Sequence, residues 1–106
     1  MKSEPDKVLR LALHGEIDAS HAEQILSEIR AAIDRLLPRE VRMDLSDVTF
    51  IDTSGVGTLV HALEAAREAG AGYKLTDASE LVRARLRIAG VSTALGLVDG
   101  EGGSDV

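Results

Sequence analysis

The sequence predicts an α/β fold: one domain with a mostly parallel, open sheet of about four strands and helices alternating with them. Two observations lead there. The spacing of apolar residues switches repeatedly between the period of a strand and that of a helix. The chain, at 106 residues, is long enough for one core but not for a second independent module. Strands separated by helices need crossover connections, which favour parallel pairing.

The first element is VLRLALHG, where Leu9, Leu11 and Leu13 alternate with Val8, Arg10 and Ala12, predicting a strand near residues 8–14. Ala22, Ile25, Leu26, Ile29, Ala32, Ile33, Leu36 and Leu37 then recur at helical spacing, predicting a helix near 20–36. Ser20 and Glu23 form a capping-box signature at its start, and Pro38 ends the run. VRMDL predicts a strand at 41–45, after which SDVTFID passes through a short turn into a second extended piece. Val56, Leu59, Val60, Leu63 and Ala66 mark a helix near 55–69, stopped by Gly70. YKLT is a third strand near 73–76, and Asp77 or Ser79 can cap a helix near 79–89 that carries Leu81, Val82, Leu86, Ile88 and Ala89. ALGLV is a weak last strand. The predicted organisation is a polar N-terminal segment at 1–7, the domain at 8–98, and a mobile tail of glycines and acids at 99–106.

Composition removes several function classes. Aromatic residues are 2% of the chain, Phe50 and Tyr73, so the core is aliphatic and single-stranded nucleic acid finds no stacking platform. A net charge of -6, with 12 basic residues spread evenly, argues against nucleic acid as a partner. There is no cysteine, hence no disulfide framework and no thiolate metal site. No apolar run approaches the roughly 18 to 20 residues of a membrane span, so a soluble cytoplasmic protein without a membrane partner is expected.

The candidate site is FIDTSGVGT, residues 50–58, a strand-to-helix turn of the kind that carries ligands and chemistry in open α/β sheets. Asp52, Thr53 or Ser54 suits a helix cap. A serine hydrolase needs a base in reach of Ser54, and His61 lies about 10 Å further along the same helix. No glycine stands two before the serine, so this is no nucleophile elbow. A P-loop fails because GVGT lacks the Gly-Lys pair and the helix has no lysine. His14, Glu16, Asp18 and His21 match no metal-ligand spacing. No catalytic residue, metal or cofactor is therefore expected. What remains is a hydroxyl at a helix N-terminus, where unpaired N–H groups and the dipole favour an added phosphate.

HGEID at 14–18, with VRMDLSDVTFIDTSGVGTL at 41–59, resembles the STAS domain and, within it, the bacterial anti-sigma factor antagonists. The likeness runs from about Val8 to Val98. It implies that an anti-sigma factor with serine kinase activity phosphorylates the hydroxyl residue before the glycine, here Ser54, with Thr53 as a second hydroxyl one residue early. It further implies that the unphosphorylated form binds the anti-sigma factor and frees the sigma factor. Asp18 and Asp52 match family acids beside the site and Gly55 the glycine after it, with Gly57 and Thr58 in the same partner-binding surroundings. Ser54 is thus expected to be a cap by structure and a phosphate acceptor by function. Two other readings compete. A STAS subunit docked permanently in a lipid-transport or signalling assembly would use Ser54 for packing or capping. A small nucleotide-binding or hydrolysing protein would use the N-terminus of the second helix, against which the lack of Lys and Arg around that loop speaks.

Overall fold

The computed structural model describes residues 7–97; the tail expected at 99–106, and all but Lys7 of the N-terminal segment, lie outside the described residues. Strand and helix alternate as β1 (Val8–Ile17), α1 (Ala19–Leu36), β2 (Glu40–Ile51), α2 (Thr53–Glu68), β3 (Gly72–Thr76) and α3 (Glu80–Ile88). The sheet has the order β1-β2-β3, and both pairings are parallel.

Cross-strand neighbours share a face, so the register decides what the sheet buries. Leu9 lies beside Val41 and Leu11 beside Met43, while Val41 and Met43 meet Tyr73 and Leu75 on the other side. Onto these residues α1 brings Ile29, Ala32 and Ile33, and α2 brings Leu59, Ala62, Ala65 and Ala66. Three alanines on one stripe let α2 approach closely, which is how a core almost without aromatics stays filled. The hydroxyl of Tyr73 donates to the carbonyl of Leu59 at 2.9 Å, and burial pushes its phenol well above the ordinary value. The opposite face is polar. Glu40 accepts from Arg42 at 3.1 Å and pairs with Lys74 at 3.7 Å, which holds its carboxyl below the usual range, the Arg42 hydrogen bond being the larger cause.

Three expectations are corrected. The turn expected after Leu45 does not divide the second strand: β2 is continuous, and the register shifts against β1 between Ala12 and His14 and again between Gly15 and Glu16. Each shift inserts one residue of β2, so its inward positions run 41, 43, 45 and then 48 and 51. Asp44 accepts the backbone N–H of Ser46 at 2.9 Å, turn chemistry used here to make a bulge, and that bond lowers the Asp44 carboxyl. On β1, Gly15 takes the matching left-handed conformation, φ +74°, and the strand runs on to Ile17. Among the described residues the sheet has three strands where about four were expected: Ala94, Leu95 and Gly96 lie in turns, Gly96 at φ +70°, and a single bridge joins Leu97 to Leu75, while Val98 lies outside the described residues. Leu95 from that segment is still fully buried. Finally, Ser20 does not open a capping box: Asp18 is the N-cap of α1 and accepts from the Ser20 N–H.

Candidate functional site

The site grows from the ends of β1 and β2. Ile17 pairs with Ile51 as the last rung of their ladder, and the next residue on each strand, Asp18 and Asp52, is the N-cap of the helix that follows. The parallel register therefore brings the two acids, and the N-termini of α1 and α2, to one edge of the sheet. The Asp52 N–H donates to the Ile17 carbonyl at 3.4 Å, joining the turns. A carboxylate at such a place accepts orphan N–H groups and faces the positive end of the dipole.

Asp52 accepts from the N–H of Gly55 at 3.0 Å. Ser54 is therefore not the cap, as expected from sequence, but the second residue inside α2. Gly55 is buried, and a Cβ there would fall on the carbonyl oxygen of Ile17 and within 2.6 Å of Ile51 Cγ1. Thr58 is buried too, its hydroxyl donating to the Ser54 carbonyl at 3.1 Å. These two, expected among the partner-contacting residues, sit beneath the surface and seat the backbone under Ser54. Gly57 has open space where a side chain would be.

Of the two caps, Asp18 holds a hydroxyl and Asp52 a backbone N–H. In α1, Ser20 donates its hydroxyl to Asp18 at 2.8 Å, and His21 Nδ1 lies 2.9 Å from the same oxygen. Those two side-chain bonds, Ser20 first, hold the Asp18 carboxyl below the usual range. In α2, Ser54 stands at the position equivalent to Ser20, yet it is exposed and its hydroxyl bonds to none of the described residues. Thr53, beside it, is also exposed. His14 pairs with Asp47 at 3.3 Å and His61 with Glu64 at 3.3 Å, so the histidines are engaged with three different carboxylates.

Sequence reasoning missed the third wall. A cleft of about 290 Å³ runs between the start of α2 and the end of α3, lined by Asp52, Thr53 and Val56 on one side and by Arg85, Ile88 and Ala89 on the other. The Arg85 guanidinium lies over the Phe50 ring, 5.3 Å from its centre. The available signal was the helical wheel of α3: Val82 and Leu86 form the buried stripe, while Leu81 and Ile88 point away, 44% and 85% exposed.

Residues 1–99 match the family model described as "Mlab, STAS domain". Among solved structures, the anti-sigma factor antagonist SpoIIAA in its unphosphorylated form is 22% identical, with a TM-score of 0.76 over 95% of this chain and 86% of that one. An anti-sigma factor antagonist from Mycobacterium paratuberculosis is also 22% identical, with a TM-score of 0.78 over 92% and 82%. A sulfate transporter family protein from Wolinella succinogenes is 23% identical, with a TM-score of 0.73 over 90% and 76%. At these identities the likeness is one of fold. Among the described residues, no helix is long and apolar enough to cross a membrane.

Proposed function

The chain belongs to the STAS family, and from that premise we propose that it is a phosphate-switched interaction module, an anti-sigma factor antagonist acting in the cytoplasm. Unphosphorylated, it binds an anti-sigma factor with serine kinase activity and so releases a sigma factor; phosphate on Ser54 ends the binding. The observation that carries this reading is the contrast between Ser20, tied to its cap, and Ser54, exposed and unengaged at the same step of its helix. Phosphate there adds about -1.5 to -2 charges at a helix terminus that tolerates them, so the fold persists. Against a docked partner the same charge is desolvated beside Asp18 and Asp52, where like-charge contact costs several kcal/mol. About 2.7 kcal/mol already weakens binding a hundredfold. Gly55 and Thr58 support the surface, while Asp18, Asp52, Thr53 and Gly57 lie at or near it. The module has no catalysis of its own.

The test is calorimetric titration of the anti-sigma factor with the parent, Ser54→Ala and Ser54→Asp proteins, with intact-mass measurement after incubation with ATP. Ser54→Ala is expected to bind and to stay unmodified, and Ser54→Asp to lose binding by about a hundredfold or more. Equal affinity of Ser54→Asp and parent, or phosphate still added to Ser54→Ala at Thr53, refutes the role of Ser54. A second reading is favoured by the sulfate transporter match. In it the chain docks permanently on a transport or signalling assembly, and the mass experiment then finds no phosphate.

A further inference from the structure

We propose that the outer face of α3 is a second docking surface, which takes an acidic amphipathic helix of a partner protein. The inference rests on the chain's being a docking module, and neither on phosphorylation of Ser54 nor on the partner's being a kinase. Val82 and Leu86 are fully buried and hold α3 on the domain. At 100° per residue, Leu81, Ala84 and Ile88 then form a strip on the outward side. Ile88 is 85% and Leu81 44% exposed, although large apolar side chains are otherwise buried or half-buried throughout the described residues except Leu37. Arg85 and Arg87 stand on the two flanks of the strip, both exposed.

Charge selects the occupant. The whole chain carries a net charge of -6 with 12 basic residues, yet Arg83, Arg85 and Arg87 fall within five consecutive positions of α3. The even spread read from the sequence is thus broken on this one helix. A ligand matching the strip has an apolar ridge with carboxylates on both sides, the pattern of an acidic amphipathic helix laid in a groove. A second copy of this chain is disfavoured, because a two-fold contact through Leu81 and Ile88 sets arginine against arginine. An anionic membrane is disfavoured by the net charge of the chain and by the small apolar area, two large side chains. The strip is also continuous with the cleft at α2, since Arg85 and Ile88 line it together with Thr53. A partner lying on α3 therefore reaches the start of α2.

The probe is a fluorescently labelled helical peptide with leucines on one face and glutamates flanking them, titrated by anisotropy against the full chain. A peptide with lysine in place of every glutamate is the control. The acidic peptide is expected to bind, more weakly in high salt, and the control is not. Arg85→Glu/Arg87→Glu and Ile88→Gln are each expected to weaken binding about tenfold or more. Thermal melts identify any variant that fails to fold, in which case Arg87→Glu alone, at an exposed site, decides. No binding of the acidic peptide, equal binding of both peptides, or indifference to the α3 variants overturns the proposal. So does capture by phosphatidylserine vesicles in place of the peptide, or a dimer in sedimentation that Ile88→Gln dissolves. Loss of the Ser54 switch, with α3-dependent peptide binding intact, counts against the proposed function and not against this surface.

Discussion

Gly55 is a residue whose missing side chain sets how closely two elements approach. A methyl group there meets the Ile17 carbonyl and Ile51, both held in the β1-β2 ladder. In a free helix glycine to alanine gains about 1 kcal/mol, but overpacking against fixed backbone costs about 1 to 3 kcal/mol. Gly55→Ala is therefore expected to destabilise in urea melts. Gly57→Ala, with nothing within 4 Å, is expected to stabilise by up to about 1 kcal/mol. If both substitutions stabilise, the close approach of α2 to the end of β1 is wrong. From the sequence, Gly55 is legible as a small residue after a hydroxyl, but its reason lies in Ile17, on a different strand. Asp18 and Asp52 are legible as acids near turns; that they are neighbouring caps follows only from the register of β1 on β2.

For a helix, the sequence pattern locates the body better than the ends. Of the stripe that period alone predicts, Leu59 and Ala66 are fully buried and Val56, Val60 and Leu63 half-buried against the core, whereas Asp52, Thr53 and Ser54 are all acceptable caps and only the direction of the chain leaving β2 chooses among them. Asp52 takes the part because its carboxylate reaches the Gly55 N–H. Asp52→Ala is accordingly expected to cost about 1 kcal/mol of unfolding free energy. Ser54→Ala, which removes a hydroxyl bonded to none of the described residues, is expected to cost a few tenths at most. Equal losses in denaturant titrations contradict the assignment of the cap. The bulges of β2 were illegible for a related reason: Asp44 and Ser46 carry the side-chain chemistry of a turn, and nothing local tells a turn from an inserted residue in a strand that continues.

For the whole molecule, the parallel α/β order is legible because the alternation of periods permits little else, while the fourth strand was lost to Gly96, whose left-handed backbone breaks the segment beside β3. The register also shows a regularity that the residue pattern hides: Val8 pairs with Glu40 and Glu40 with Gly72, an offset of 32 residues each time. Two loops of equal length have equal closure entropy, so chain connectivity does not decide which strand pair forms first during folding. The crossover helices decide it. The 18 residues of α1 contain no glycine, whereas α2 carries Gly55 and Gly57 in its first turns, each costing about 1 kcal/mol of helix propensity, and β3 offers only five residues for pairing. We expect β1-α1-β2 to form the folding nucleus, with α2 docking afterwards. Ala31→Gly on the exposed side of α1 then slows refolding in stopped-flow experiments, while Glu64→Gly on α2 chiefly speeds unfolding; the reverse pattern rejects this order. A charge added at the start of α2 accordingly reaches the chain on an element that docks late. Any change it makes in stability then falls on how long the native state lasts, and leaves almost untouched how fast a newly made chain arrives there.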